Sequence, residues 1–227
     1  MWTLRIDLTT GLTRREAVSD ILSGGRHFIA TFLVQGADPG LDPLGPENPL
    51  IFATGLLAGW PISCAGRLSV GGKSPLTGGI KESNAGGELA NAMAGLDCRA
   101  LVLEGRFPTP SILVVDAADR VQALPAEEYW GLTTEECVSR LQARFGKDYA
   151  IAVIGPAGEM GLPASAICVT DVRDHPFRFA ARGGLGAVMG SKRLKALLVR
   201  KSRRALPASA AFLPAVRALH RAIQDNP

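Results

Sequence analysis

Two stretches decide how this chain folds: Ala85–Gly105, AGGELANAMAGLDCRALVLEG, and Ala181–Lys201, ARGGLGAVMGSKRLKALLVRK. A shift of 96 residues lays one on the other without a gap. Six of the 21 positions are then identical: Ala85/Ala181, Gly87/Gly183, Leu89/Leu185, Met93/Met189, Ala100/Ala196 and Leu101/Leu197. Each copy reads as a glycine-rich loop, a short helix and a hydrophobic strand. The echo predicts a tandem duplication, and a duplicated unit implies two related loops and two similar half-sites.

Outward from these copies the patterns are mixed. Trp2, Leu4, Ile6 and Leu8 alternate with polar residues at strand spacing, and Thr9-Thr10-Gly11 is a turn. Residues 15–35 read as a helix interrupted at Gly24-Gly25, and Pro and Gly between Asp42 and Pro49 force a loop. Strands are expected at Leu50–Thr54, 67–73, Ala100–Leu103 and Ile151–Ile154, with a hairpin joining Ile112–Val115 to Val121–Leu124. Thr133 with Glu136 is a capping-box signature before a helix carrying Cys137, Leu141 and Phe145 on one face. Strands and helices alternate without a βαβ rhythm, so the expected fold class is α+β. Leu213, Val216, Leu219 and Ile223 add a C-terminal helix stub.

Composition sets the outer limits. Of 227 residues, 47% are hydrophobic and 20% charged, enough apolar material for a core and too much for disorder. The four cysteines, Cys64, Cys98, Cys137 and Cys168, stand 31 to 39 residues apart, so no CxxC chelate is written here. They read as reduced thiols in the cytoplasm, Cys64 included, for which an ordinary buried thiol is preferred. The 19-residue uncharged run Asn48–Gly66 holds two prolines and is a poor membrane helix. Seven cations crowd into 13 residues, from Lys192 and Arg193 through Lys195, Arg200, Lys201 and Arg203 to Arg204. The other 18 face 21 acids. This basic run lacks interleaved aromatics, so nucleic acid is not expected as a partner.

A glycine turn running into a helix lets backbone N–H groups approach an anion, and guanidinium groups grip phosphate bidentately. Arg67 and Asn84 precede the first loop, Ala85-Gly86-Gly87; Arg178 and Arg182 flank or enter the second, Ala181 to Gly184. Two phosphate-type sites are one reading; glycines that serve packing beside surface arginines are the other. Neither GxxxxGK[ST] nor a GxGxxG after a strand is present. His27, His175 and His220 are scattered, and Glu82 has no evident partner, so packing or solvated roles are preferred for these four.

Longer runs are more specific. Asp42–Gly55 (DPLGPENPLIFATG), Lys73–Ile80 (KSPLTGGI), Glu82–Gly87 (ESNAGG) and Arg182–Leu197 (RGGLGAVMGSKRLKAL) resemble, in order and interval, the N-terminal domain of the aldehyde:ferredoxin oxidoreductases. These are tungsten- or molybdenum-bis-pterin, iron–sulfur enzymes. The resemblance runs from Trp2 to about Arg200. It implies a duplicated, β-sheet-rich base on which two pyranopterins rest, over residues 1–204. Residues 205–227 would be a linker and the opening helix of a further, helical part. The resemblance assigns Arg67, Asn84 and Gly86, with Ala85 and Gly87, to one pterin. Arg178, Phe179, Ala181 and Arg182, with Gly183 and Gly184, go to the other. A magnesium ion between the pterin phosphates would take backbone oxygens near Asn84 and Phe179, and no side chain is implied as catalytic.

Three departures stand out. The family's Ala-Gly-Arg-Gly-Gly is here Ala180-Ala181-Arg182-Gly183-Gly184, so a methyl group at Ala181 would crowd a pterin or shift the backbone. Its Gly-Gly-Arg-Gly-Leu-Gly is Gly24-Gly25-Arg26-His27-Phe28-Ile29, and its Ala-Gly-Tyr-Asp is Ala94-Gly95-Leu96-Asp97. The family also continues for more than as much again, through domains that carry the 4Fe-4S ligands and the substrate pocket. The implied function is therefore the cofactor-binding part of an enzyme oxidising aldehydes to carboxylates and reducing ferredoxin. A second polypeptide would carry the cluster, and this chain alone would be inactive. Alternatives are a free-standing pterin carrier, an inactive remnant, or part of an aromatic acyl-CoA reductase.

Overall fold

The computed structural model describes residues 1–203 and 209–226. Its first half runs β1 (Trp2–Asp7), β2 (Thr13–Ala17), α1 (Gly25–Gly36), β3 (Leu50–Thr54), β4 (Leu68–Lys73), β5 (Ile80–Ala85), α2 (Leu89–Gly95) and β6 (Cys98–Glu104). The second runs β7 (Ser111–Ala117), β8 (Arg120–Pro125), α3 (Thr134–Phe145), β9 (Tyr149–Val153), the single-turn α4 (Pro156–Glu159), β10 (Ile167–Val169), β11 (Arg178–Ala180), α5 (Leu185–Ser191) and β12 (Leu194–Arg200). A last helix, α6, spans Phe212–Gln224.

The duplication is written in the sheets. One has the order β2-β1-β6-β3-β4-β5 and the other β8-β7-β12-β9-β10-β11, the same arrangement with every strand advanced by six. In each, the first strand of the half pairs in parallel with its last, and the other neighbours are antiparallel. The 96-residue shift holds down to single residues. It places the left-handed residue Asp97 (φ 60°) on Arg193 (φ 55°). It also places Arg99, skipped in the β1–β6 register, on Lys195, skipped in the β7–β12 register. Such skipped residues are β-bulges, which re-aim a side chain.

Four layers result. Leu4, Phe52 and Leu101 of the first sheet and Leu113, Ala152 and Leu197 of the second share one core, which also takes Met93 and Met189 from the matched helices α2 and α5. The outer face of the first sheet is covered by Ile29 and Leu33 of α1, that of the second by Cys137, Val138 and Leu141 of α3. The Thr133–Glu136 capping box is formed in both directions.

Some expectations need correction. Thr13–Ala17 is a strand, not helix, because it pairs with β1 from Trp2↔Ala17 to Ile6↔Thr13, and Arg15 lies 5.3 Å over the Trp2 ring. Helix begins only at Gly25. Lys81–Asn84, just ahead of the first glycine loop, adds a run of strand residues paired with β4. Much of the basic run is engaged within the domain. Lys192 and Lys195 are fully buried, Arg200 reaches Asp116 at 3.6 Å, and Lys201 pairs with Asp174. Arg204 and the 204/205 boundary lie outside the described residues. The tail helix buries only Val216 of its stripe, and Leu213, Leu219 and Ile223 stay exposed. Phe212 meets the Trp60 ring edge-on at 4.7 Å, Val216 is buried, and the Ser63 N–H donates to His220 Nε2 at 3.3 Å.

Candidate functional site: a double cleft at the junction of the two sheets

The edge strands β5 and β11 lie side by side, so the two glycine loops that follow them meet at one place. An open cleft of about 670 Å³ is walled by Arg67, Glu82 and Asn84 from the first half and Phe179, Ala181 and Arg182 from the second. A neighbouring cleft of about 480 Å³ is walled by Cys64, Arg67, Gly86, Gly87, Asp171 and Arg178. Arg67 borders both. Its Nε donates to Asn84 Oδ1 at 2.5 Å, which aims the guanidinium along the ridge between them.

Charge in the site is mostly positive. Arg67, Arg178 and Arg182 are exposed, and Arg26 and Lys81 join them on the larger cleft. The carboxylate of Glu82, only 10% exposed, is held by Arg26 Nε at 3.2 Å. Glu82 thus has an ion-pair partner distant in sequence while it also walls the larger cleft. Asp171 Oδ1 accepts from the Arg173 and His175 N–H groups at 2.8 and 3.1 Å. The backbone bond to His175 is the main reason its carboxyl lies below the usual range.

The residues expected at the site divide into walls and supports. Arg67, Asn84, Gly86, Gly87, Arg178, Phe179, Ala181 and Arg182 line a cleft. Ala85, Gly183 and Gly184 line neither. Ala85 is turned into the inter-sheet core, and the two glycines are buried with φ of 79° and 71°. The grouping by half also changes: Arg178 faces Gly86 and Gly87 across the smaller cleft, whereas Asn84 shares the larger one with Phe179 and Arg182. A Cβ at Gly86 would lie 3.5 Å from Arg67 Nη1 and 3.9 Å from Arg178 Cδ, ordinary contact distances, so both arginine side chains approach the backbone here. Ala181 is not among the residues with positive φ, so its methyl group stands on ordinary backbone and strains nothing.

Helix ends contribute less than the sequence suggested. The Glu88 N–H donates to Thr170 O at 3.0 Å and the Gly186 N–H to Ser165 O at 3.2 Å, so these amides are already satisfied by protein. Glu88 stands at the N-cap position of α2 without a side-chain capping bond, and its carboxylate accepts from Asn91 Nδ2 at 3.3 Å. Anion affinity must come from the arginines. Sequence reasoning set Cys64 aside as a buried thiol. It is exposed, at φ 61°, on the cleft wall. Burial raises the other thiols, Cys137 to about 11 and Cys168 to about 12, which leaves them inert as nucleophiles. Arg26 follows Gly24-Gly25 in sequence, but only the packing of α1 and β5 brings it and Lys81 to the larger cleft. No group of three or more His, Cys, Asp or Glu side chains is placed to hold a metal among the described residues.

The architecture defines a class: a duplicated two-sheet base presenting a cationic double cleft at its pseudo-twofold junction. Residues 3–201 match the family model of the aldehyde ferredoxin oxidoreductase N-terminal domain, and the chain belongs to that family. It is 39% identical over 206 residues to the tungsten-containing aldehyde ferredoxin oxidoreductase of Pyrococcus abyssi, covering 88% of this chain and 33% of that one. It is 30% identical over 175 residues to the WOR-like subunit of the aliphatic sulfonate oxidoreductase of Pyrococcus furiosus, covering 71% and 27%. Among solved structures, the active site complex BamBC of benzoyl coenzyme A reductase, with 1,5 dienoyl-CoA, contains a chain that matches all of this one. The TM-score is 0.91 at 29% identity, over 35% of that chain. The chain thus spans about a third of the length of the curated relatives it matches. No helix among the described residues is long and apolar enough to cross a membrane.

Proposed function

We propose that the double cleft is the seat of a tungsten- or molybdenum-bis-pyranopterin, and that the chain is the cofactor-binding part of an aldehyde-oxidising enzyme of the cytoplasm. One observation carries this reading: Arg67 stands on the ridge between two clefts, with Arg178 across one and Arg182 across the other. Paired anionic groups held by a shared central cation would find this arrangement ready-made. The residues fit such a group chemically. The three guanidiniums suit phosphate. The Ala181 backbone needs no adjustment.

Arg67 and Arg178 would hold one pterin against Gly86 and Gly87. Arg182 would hold the other, with Ala181 and Phe179 beneath its ring. Asn84 and Phe179 wall the same cleft, and their backbone oxygens are the proposed seat of a magnesium ion between the phosphates. When bound, the cofactor supplies two-electron oxidation of an aldehyde to a carboxylate. The chain's own work is to orient that group and neutralise its phosphates. A second polypeptide or further domain would supply the 4Fe-4S cysteines, the acid–base residues and the contact with ferredoxin. Residues 1–204 are proposed as the pterin-binding domain, and 205–227 as a linker and first helix of the next.

The likeness to BamBC supports a second reading, a subunit of an aromatic acyl-CoA reductase, with the same double cleft serving a different substrate. Both readings share one test. The full chain is produced with a cofactor-assembling host, and tungsten, molybdenum and pterin are measured in wild type, Arg67→Ala and Arg182→Ala. Both variants are expected to lose most of the bound pterin while remaining folded. Unchanged loading in both would overturn the assignment.

A further inference from the structure

The two glycine loops do not rest on their own halves. Ser74, in the turn after β4, is fully buried, and its hydroxyl donates to Gly183 O at 2.7 Å. Ser74 Oγ also accepts from the Leu76 and Thr77 N–H groups at 3.2 and 3.1 Å. Ser83 of β5 is 3% exposed and accepts from the Arg182 N–H at 3.1 Å. Both belong to the first half and hold the loop of the second. The converse also occurs. Thr170, just after β10, accepts the Glu88 N–H at its carbonyl at 3.0 Å, and a Cβ at Gly87 would lie 2.5 Å from that same oxygen. The 96-residue shift that superimposes the halves carries Ser74 onto Thr170 and Gly87 onto Gly183. Each half thus braces the other's loop from an equivalent position, by a side-chain hydroxyl at Ser74 and by a backbone carbonyl at Thr170.

We infer that Ser74 and Ser83 are positioning residues that set the Arg182 loop, and that the exchanged braces couple the two half-sites so that each loop is ordered by the other half. This rests on the anion-binding reading of the double cleft. At position 74 only a hydroxyl accepts from two amides and donates to a carbonyl at once, and alanine would strand buried polar groups. At position 83 the hydroxyl fixes the backbone from which the Arg182 guanidinium projects. Displacement of that loop passes along β5 to Asn84, and from Asn84 Oδ1 to Arg67.

Two measurements on the full chain test this, with Ser74→Ala, Ser83→Ala and Ser74→Thr compared to wild type. Hydrogen exchange is followed over residues 84–89 and 181–186, and inorganic pyrophosphate is titrated by calorimetry. Both alanine variants should exchange faster in both segments together and bind pyrophosphate about tenfold more weakly, the effect of one lost hydrogen bond. Ser74→Thr, which keeps a hydroxyl at position 74, should restore both. Unchanged exchange refutes the brace, and faster exchange in 181–186 alone refutes the coupling. Unaltered pyrophosphate affinity in both alanine variants refutes the positioning role. A wild-type chain that binds no pyrophosphate would remove the anion reading instead, and the exchange comparison would still decide the brace.

Discussion

Replacing Glu159 by Gln removes one negative charge from a place where it cannot be spared. Glu159, at the end of α4, is 5% exposed at its side chain and pairs with Lys195, which is fully buried at the β12 bulge. Glu159 Oε2 also accepts from the Gly131 N–H at 2.8 Å, and Lys195 Nζ donates to Leu132 O at 3.0 Å. Glutamine keeps the shape and can still accept one bond, but it leaves an ammonium in the interior with only neutral partners. Breaking a buried pair on one side costs about 3–5 kcal/mol, and the isosteric change should fall near about 3 kcal/mol. For a chain of this size that is a drop in Tm of about 6–12 °C. The double variant Glu159→Gln/Lys195→Met removes the stranded charge and should recover most of the loss. Chemical denaturation of wild type, both single variants and the double variant closes the cycle. A Glu159→Gln cost below about 0.5 kcal/mol, or a double variant no more stable than Glu159→Gln, would refute the reasoning.

Three further outcomes are expected. Lys192 is fully buried, donates to Gly105 O at 3.0 Å and Pro46 O at 3.2 Å, and burial lowers it to about 8 from 10.5. Between these values the unfolded chain holds a proton that the native chain has released, so native stability should rise with pH across that window. The rise is up to about 3 kcal/mol relative to Lys192→Met, and denaturation at pH 7.5 and 10.5 giving equal differences would contradict it. Gly190→Ala puts a Cβ 1.9 Å from Gly158 O and must separate α5 from α4, at about 1–3 kcal/mol; an unchanged denaturation midpoint would contradict this. Val172, Phe177 and Phe179 stand 75%, 62% and 48% exposed beside the clefts, so the purified chain should self-associate in light scattering. A monodisperse monomer at high concentration would count against it.

Much of the fold was legible because its signals are local. Alternation at Trp2, Leu4, Ile6 and Leu8 gave β1, the Thr133–Glu136 spacing gave the start of α3, and the echo between residues 85–105 and 181–201 gave the duplication. What escaped depends on distant partners. Thr13–Ala17 has helix-forming residues and becomes strand only because β1 offers an edge. Lys81–Asn84 is polar throughout and is strand because β4 lies beside it. The partners of the basic run were hidden, since Lys192 finds Pro46 and Gly105, and Lys195 finds Glu159, none of them near in sequence. At the site, arginines beside the two matched glycine loops announced themselves, whereas Arg26 and Lys81 reach the cleft only through the packing of α1 and β5. The exchanged serine braces were invisible for the same reason: Ser74 and Gly183 are 109 residues apart.

The most direct test is the ratio of pterin to metal in the chain as purified from a cofactor-assembling host, by pterin fluorescence after oxidation and by elemental analysis. Two pterins for each tungsten or molybdenum, both lost together in Arg67→Ala, is the expected result, because Arg67 borders both clefts. A single pterin per metal, or two that survive Arg67→Ala, would contradict a shared central cation and with it the double-cleft assignment.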